Sequence, residues 1–237
     1  MTISASLAAM LRGSMWAHGL SEEQMHRVER DTLERSYAAG AVICRRDEPA
    51  LHWLGVIAGM AKVDNVAADG RVTTFSCMSP GGWFGEGSVL KKEPRPYEVV
   101  ALHDTRMALM PIATFDWLLA TSLPFNRFLI DQLNARLGQF IALVESSRMH
   151  DVAGHVAHCL AELFNPQLNP QAQGMPSAAS PQTVALSQEE LGRLSGLSRQ
   201  IANRALHQLE NAGLVRVSYG AIDVNDIDGL RRFSRSH

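Results

Sequence analysis

The chain has 237 residues, of which 46% are hydrophobic and 19% are charged, and its formal net charge is −2. This length is enough for one large or two modest domains, and the small net charge excludes a protein that coats nucleic acid indiscriminately. No run reaches the about 18 apolar residues that a membrane span requires. The first residues also lack the basic segment and apolar core of a signal peptide, so we expect a cytoplasmic protein without membrane contact.

The three cysteines, Cys44, Cys77 and Cys159, are scattered and odd in number. This usage is typical of a reducing compartment and argues against a disulfide framework. We expect buried structural cysteines, and redox sensing by an exposed thiol of low pKa is the alternative. The sequence shows no spacing typical of metal ligands, so neither a metal nor another cofactor is predicted.

The first half of the chain changes from helical to strand-like patterning. Residues 1–35 are predicted to be helical. From Tyr37 to Met110, short apolar runs are separated by Gly, Asp and Pro, and this even spacing predicts a β-sandwich or β-roll. The runs cover residues 41–44, 53–57, 60–63, 72–75, 97–102 and 106–110.

A helix is predicted from Pro111 to about Pro124, followed by a longer one from about 125 to 149. In the longer helix, apolar residues recur at alternating spacings of three and four, which is typical of a coiled-coil seam. The seam residues are Ile130, Leu133, Leu137, Phe140 and Val144. We expect homodimerisation through this seam; the alternative is an ordinary helix packed on its own β-roll.

The stretch from Leu186 to Leu209 predicts two short helices joined by a tight turn. Ser187 and Glu190 have the spacing of a capping box, and Gly196 can adopt the positive φ of the turn. The second helix begins after Ser198. Its predicted inner face consists of Ile201, Ala205, Leu206 and Leu209. This pattern is typical of a helix-turn-helix.

The outer face of the second helix carries the side chains that bind DNA in such motifs, since Arg pairs with guanine and Gln or Asn with adenine. These candidate DNA-binding residues are Ser198, Arg199, Gln200, Asn203 and Arg204. Two apolar runs follow at 214–217 and 221–224 with a turn at Tyr219-Gly220, which predicts the wing of a winged helix. Ser195 departs from the pattern because a hydrophobic residue is usual there. A helical hairpin with a solvated arginine face is the alternative.

Residues 151–164 are predicted to form an amphipathic helix, and residues 165–183, rich in Pro, Gln, Ser and Ala, a surface loop. The predicted fold class is therefore α+β, with three parts. Residues 1–124 form the N-terminal helix and β-roll sensor domain, residues 125–150 the dimerisation helix, and residues 151–237 the winged helix-turn-helix DNA-binding domain.

Three motifs resemble the CRP/FNR family of bacterial transcription regulators: 81–86 (GGWFGE), 151–157 (DVAGHVA) and 191–204. The resemblance extends over nearly the whole chain. It implies a cyclic-nucleotide-binding-type β-roll that controls a DNA-binding homodimer, which in turn contacts RNA polymerase. A symmetric dimer would read an inverted repeat in double-stranded DNA, with its two recognition helices about one DNA turn apart.

The resemblance also points to an effector pocket formed by Gly85, Glu86, Gly87, Ser88 and Arg95. In the family's cyclic AMP sensor, an acidic residue holds the ribose hydroxyl and an Arg-Ser pair clamps the phosphate. Here Pro96 replaces the Ser, Tyr97 follows where a small residue is usual, and Phe140-Ile141 replace the Thr-Ser that bonds adenine. We therefore predict an effector other than cyclic AMP, or none; a cyclic AMP-responsive regulator is the alternative.

The recognition helix implies a particular reading of DNA. Ser198 should meet a phosphate, and Arg199 and Arg204 should meet guanines or adjacent phosphates. Gln200 stands where the cyclic AMP sensor has Glu, so the half-site should be related to the family's TGTGA without being identical to it. No nucleophile, base and acid constellation is present, so an enzyme is not expected. A cyclic-nucleotide-binding module that regulates a partner protein is a further alternative.

Overall fold

The computed structural model describes residues 3–66, 72–148, 151–165 and 182–236. Its first half contains a β-roll made of two four-stranded sheets in which the paired strands are antiparallel, with strand orders β1-β8-β3-β6 and β2-β7-β4-β5. The strands are β1 Leu33–Tyr37, β2 Val42–Cys44, β3 His52–Ala58, β4 Ala61–Val66, β5 Val72–Met78, β6 Trp83–Phe84, β7 Glu98–Ala101 and β8 Thr105–Pro111. The predicted β-roll is confirmed.

Strand β3 is buried on both faces, which explains its nearly continuous apolar sequence. Leu54 and Val56 face the interior of the roll, whereas Trp53 and Ile57 face a layer of helices. That layer consists of α1 Ala5–Gly13, a 3-10 helix Met15–Ala17, α2 Glu22–Asp31 and α4 Ile112–Thr121. The sheet therefore separates two apolar cores.

The prediction of helix over residues 1–35 is wrong at its end, because α2 stops at Asp31 and β1 begins at Leu33. Leu33–Tyr37 is polar and has no apolar alternation, so its sequence does not indicate a strand. Backbone pairing with β8, from Leu33 opposite Leu109 to Tyr37 opposite Thr105, stabilises it instead. The short strand β6 and the helix α3 Glu86–Lys91 were not predicted either.

An aromatic cluster joins the helical layer to the roll. Trp53 lies 4.4 Å from Trp83 and 5.7 Å from Phe125 between ring centroids, and Trp16 lies 5.3 Å from Trp83. Phe115 and Phe125 are 5.4 Å apart and nearly perpendicular. Edge-to-face packing of this kind adds to the burial of the rings. The cluster fixes the start of the long helix α5 Leu123–Arg148 on the roll.

The two faces of α5 differ in exposure. Phe125 and Leu129 are buried against the roll. The five predicted seam residues are exposed in the single chain, with exposed fractions of 40% to 65%. A single chain therefore leaves an apolar stripe along α5 uncovered.

The C-terminal part begins with α6 Val152–Glu162, whose first N–H groups at Ala153 and Gly154 donate to the Asp151 carboxylate. It continues with β9 Gln182–Val184, α7 Gln188–Ser195, α8 Arg199–Asn211, β10 Val215–Ser218, β11 Ala221–Val224 and α9 Ile227–Ser236. The strands form one sheet in the order β10-β11-β9. The predicted winged helix-turn-helix is confirmed. Strand β9, whose first two residues fall within the predicted loop at 165–183, and helix α9 were not predicted.

Two predicted features lie wholly or partly outside the described residues. The domain boundary falls at residues 149–150, and most of the predicted surface loop falls at 166–181. The apolar core of the C-terminal part includes Leu160, Leu191, Leu206 and Ile222, and Cys77 from strand β5 belongs to the same cluster. The roll and the C-terminal part are thus in direct apolar contact.

Candidate functional site

The turn between α7 and α8 brings the two helices close together. Gly196 has a φ of +66°, which favours glycine, and the N–H of Leu197 donates to the Gly192 carbonyl at 2.8 Å. A Cβ at Gly192 would lie 2.9 Å from the Leu197 carbonyl oxygen. Glycine at position 192 therefore permits the tight crossing that sets the direction of α8.

Ser195 is buried and satisfied, although a hydrophobic residue is usual at its position. Its Oγ donates to the Leu191 carbonyl at 2.7 Å, and its own carbonyl accepts from His155 Nε2 at 2.9 Å. The second bond links α7 to α6. The hydroxyl and the carbonyl of Ser195 are thus both hydrogen-bonded, as buried polar groups require.

The first helix of the motif is capped differently from the prediction. Ser187 Oγ accepts from the Glu190 N–H at 3.2 Å, as expected for an N-cap. The Glu190 carboxylate, however, accepts from Lys62 Nζ at 3.2 Å and 3.3 Å. An ion pair to the β-roll thus engages the side chain expected to complete the capping box.

Helix α8 presents most of the predicted DNA-binding residues to solvent. Ser198, Arg199, Gln200 and Arg204 are exposed, while Ala205, Leu206 and Leu209 are buried. Asn203 is only half-buried, and its Oδ1 is shielded without a hydrogen-bond partner among the described residues. Ala202 is buried and Ile201 is half-buried, so the inner face is rotated slightly from the predicted one. The four exposed side chains form one continuous polar face at the start of the helix.

The wing lies beside this face. Val215 pairs with Val224 and Ser218 with Ala221, and Gly220 has a φ of +69° at the turn. Tyr219 at its tip is fully exposed. A groove lined by Gln188, Arg199 and Tyr219 runs between the motif and the wing. This concave surface can follow a nucleic acid backbone while α8 enters a groove.

A second candidate site is a cavity of about 350 Å³ inside the β-roll, at the segment that carries the predicted effector residues. We call it the roll cavity. Of the five predicted residues, Gly85, Glu86, Gly87 and Ser88 line it, and Arg95 does not. Its other lining residues are Val63, Phe75, Ser76, Met78, Phe84, Lys91, Pro96, Tyr97, Arg136, Gln139 and Phe140. Phe140 is therefore at once a cavity wall and a predicted seam residue.

Glu86 is the buried acidic group of the roll cavity, with 2% of its surface exposed. Its Oε1 accepts from Arg136 Nε at 2.6 Å, and Arg136 Nη2 also donates to the Trp83 carbonyl at 2.9 Å. The second oxygen, Oε2, is buried without a hydrogen-bond partner among the described residues. An unsatisfied buried carboxylate oxygen is costly, so this atom is a place where a donor on a ligand would be stabilised.

Arg95 is buried behind the wall of the roll cavity, at 2% exposure. Its guanidinium donates to the His52 carbonyl and, at 3.4 Å, to the Tyr97 hydroxyl. The same group occupies the space of a Cβ at Gly85, whose φ is +85°. Burial raises the pKa of Tyr97, with the charge of Arg95 opposing that shift. Gly85 therefore serves to admit the arginine, and the arginine supports the wall.

Cys77 and Cys159 are buried, and Cys44 is half-buried. Burial raises the pKa of Cys44 to about 11 and those of Cys77 and Cys159 to about 12. Thiolates are the reactive form, so these shifts favour the expected structural role. Within the described ranges, no three His, Cys, Asp or Glu side chains are grouped as metal ligands would be. No described helix is long and apolar enough to cross a membrane.

Together, a cyclic-nucleotide-binding-type β-roll and a winged helix-turn-helix define a class of protein, the DNA-binding transcriptional regulators with a sensor domain. Comparison with known families agrees with this class. Residues 34–122 match the model of the cyclic nucleotide-binding domain, and residues 154–233 match that of the Crp-like helix-turn-helix domain. The chain belongs to the CRP/FNR family of transcriptional regulators.

The sequences of similar proteins align with most of this chain. The cyclic AMP receptor protein of Thermus thermophilus is 27% identical, covering 91% of this chain and 94% of the relative. The CRP-like cAMP-activated global transcriptional regulator of Mycobacterium tuberculosis is 27% identical, covering 84% and 87%. In fold, the structure of FixK2 from Bradyrhizobium japonicum matches with a TM-score of 0.69 at 22% identity, covering 85% and 96% of the two chains.

Sequence reasoning missed two charged residues that connect the parts of the site. In the sequence, Arg136 is one position on the predicted long helix, and Lys62 lies in a predicted strand. Their partners Glu86 and Glu190 lie 50 and 128 positions away, so no local spacing indicates the pairs. The sequence signal for the Lys62 pair is that a cation stands in strand β4 at a position where an apolar side chain would be expected.

Proposed function

We propose that this protein acts as a homodimer that binds an inverted-repeat site in double-stranded DNA. The observation that carries the proposal is the exposed stripe of α5, on which Ile130, Leu137 and Phe140 are each more than half exposed. Large apolar side chains at alternating spacings of three and four are buried in a two-stranded coiled coil. Two α5 helices packed in this way would relate the two recognition helices by a two-fold axis.

The assignment of parts follows from this proposal. Residues 1–124 serve as the sensor domain, residues 125–150 as the dimerisation helix and residues 151–237 as the DNA-binding domain. In the DNA-binding domain, Ser198 contacts a phosphate, and Arg199, Gln200 and Arg204 reach base edges in the major groove. Asn203 contributes less, because its amide is partly shielded. As family membership implies, the bound dimer contacts RNA polymerase.

We further propose that cyclic AMP is not the effector. A cyclic phosphate in the roll cavity needs a cation that faces it, and the Arg95 guanidinium instead donates to the His52 carbonyl and the Tyr97 hydroxyl. Pro96 beside it has neither a hydroxyl nor an N–H to donate. Phe140 offers no hydrogen bond to a base. Glu86 could accept a hydrogen bond from the ribose hydroxyl of a cyclic nucleotide. Arg95 and Pro96, however, do not supply the donors that its cyclic phosphate requires.

The test is fluorescence anisotropy of the nucleotide-free protein on a duplex obtained by random-site selection, with and without cyclic AMP. Binding of two chains per duplex without cyclic AMP supports the proposal. Binding only after cyclic AMP is added favours the alternative, a cyclic AMP-responsive regulator. If no specific DNA binding is observed in either condition, the result favours the second alternative, a module that regulates a partner protein.

A further inference from the structure

We propose that the roll cavity binds an uncharged ring compound that donates a hydrogen bond from a hydroxyl or amino group to Glu86. This inference rests on the assignment of the roll cavity as the effector site and goes beyond the exclusion of cyclic AMP. The walls of the roll cavity, its hydrogen-bond acceptor and its charge balance together define the chemistry of the ligand.

The walls of the roll cavity favour a flat apolar body. Phe75, Phe84, Tyr97 and Phe140 contribute aromatic rings, and Pro96 adds a further apolar surface. Aromatic rings pack on each other in offset or edge-to-face geometry, which stabilises a bound ring beyond simple burial. The volume of about 350 Å³ lies within the range of small-molecule sites. A compound of one to three rings is therefore of suitable size.

The polar end of the ligand is defined by Glu86. Because Oε1 is held by Arg136, the carboxylate cannot turn freely, and Oε2 is the atom left without a partner. An ionised carboxylate is only an acceptor, so the ligand must supply the proton. A hydrogen bond to a charged group inside a cavity is stronger than one between neutral groups. The ligand group opposite Glu86 is thus a hydroxyl or an N–H.

The charge balance disfavours an anion. Arg136 is paired with Glu86, and Lys91, at the rim, is paired with Glu93 at 2.6 Å. Arg95 lies behind Gly85 with its donors engaged. Among the described residues that line the roll cavity, both cations are therefore already paired with carboxylates. Burying an ion without a partner costs far more than burying a neutral polar group.

The experiment uses the full-length protein and isothermal titration calorimetry with three probes. Adenosine and catechol are uncharged rings with vicinal hydroxyls, and cyclic AMP carries the adenosine framework with an anionic cyclic phosphate. We expect at least one uncharged probe to bind about ten-fold more tightly than cyclic AMP. Glu86→Gln should weaken that probe by about ten-fold or more, because the amide is a poorer acceptor than the carboxylate.

The matched control is Glu23→Gln, the same substitution at an exposed position of α2 outside the roll cavity, which should leave probe binding unchanged. Thermal melting of each variant establishes that it is folded. Tighter binding of cyclic AMP than of both uncharged probes would overturn the inference, as would no heat from adenosine or catechol up to about 1 mM. DNA binding measured on the same samples separates this failure from that of the proposed function: a protein that binds DNA and rejects both probes refutes only the ligand class.

Discussion

Lys62 of strand β4 and Glu190 of helix α7 form an ion pair with 3.2 Å between Nζ and Oε2. Lys62 also pairs with Asp64 at 3.0 Å, and the Asp64 carboxylate accepts from Thr74 Oγ1 at 2.7 Å. The side chains of Lys62 and Asp64 are only 7% and 5% exposed, and that of Glu190 is 20% exposed. The first helix of the DNA-binding motif is thus attached to the β-roll through a charged group that is largely desolvated.

The two partners of this ion pair should differ in their contribution to stability. Lys62→Met leaves Asp64 and Glu190 without their shared cation, so we expect the free energy of unfolding to fall by about 3–5 kcal/mol. Glu190→Gln leaves Lys62 paired with Asp64, and we expect a smaller loss of about 1–3 kcal/mol. Urea denaturation followed by circular dichroism measures both losses.

Glu189→Gln is the matched control, because Glu189 is 59% exposed and pairs with Arg193 on the surface of the same helix. We expect this variant to change the free energy of unfolding by less than about 1 kcal/mol. Equal losses for the Lys62 and Glu190 variants would contradict the role assigned to the shared cation.

Disrupting the seam should dissociate the proposed homodimer. Leu137 is 59% exposed in the single chain, so Leu137→Arg should leave the fold of each protomer intact while placing two like charges at the centre of the interface. We expect a monomer by sedimentation velocity and loss of specific DNA binding. Glu145→Arg, an exposed change on the same helix outside the seam, should remain dimeric. A dimeric Leu137→Arg variant would place the interface elsewhere.

Gln200 should set one base of the half-site. Its amide can bond both N6 and N7 of adenine, whereas Glu only accepts and so prefers the amino group of cytosine. We expect Gln200→Glu to move the preference at one position of each half-site from adenine to cytosine. Random-site selection with both proteins measures the change. An unchanged selected sequence would show that Gln200 does not touch a base.

Arg204 should contribute both affinity and selectivity. It is exposed on α8, one turn beyond Gln200. If it pairs with a guanine, Arg204→Ala costs about 1–3 kcal/mol and relaxes the preference at one position. Anisotropy on the selected duplex and on a duplex altered at that position measures both effects. An equal loss on both duplexes would assign Arg204 to a phosphate instead.

His158 should make the protein less stable in weak acid. Burial lowers its pKa from the ordinary value of 6.5. The charge of Glu162 raises this pKa and that of His155 lowers it, and burial is the largest of the three effects. The unfolded chain therefore binds the proton more readily, so this contribution to stability is present above about pH 6.5 and is lost as the pH falls towards the folded pKa. The slope cannot exceed about 1.4 kcal/mol per pH unit, because one imidazole binds at most one more proton in the unfolded chain than in the folded one.

Urea denaturation between pH 5 and 7.5 tests the role of His158. We expect His158→Gln to show a shallower loss of stability on acidification than the unmodified protein. His26→Gln serves as the control, because His26 is exposed on α2. A slope that is the same in all three proteins would assign the acid sensitivity to another group.

The sequence predicts those features of this molecule that depend on local pattern. The helix-turn-helix follows from its caps and from Gly196, and the seam of α5 follows from its alternating spacing. Strands β1 and β9 could not be predicted, because pairing with β8 and β11 stabilises segments that have no apolar alternation. The roll cavity could likewise be predicted only in part, because contacts between residues distant in the sequence shape it. Glycines 85 and 87 and Glu86 are recognisable from a motif, whereas the direction of Arg95 depends on the His52 carbonyl, which lies 43 positions away.

The burial of Cys77 beneath the DNA-binding part makes this thiol a kinetic probe of the separation of the DNA-binding part from the β-roll. Cys77 is 3% exposed, lies in the apolar cluster that contains Leu191, and has its pKa raised to about 12 by burial and by Glu190 and Asp64. An alkylating reagent therefore reaches its thiolate only while α7 is lifted from β5. With Cys44 and Cys159 replaced by serine, the rate of Cys77 alkylation would report how often the DNA-binding part leaves the β-roll, and how much a bound ligand or a DNA duplex changes that frequency.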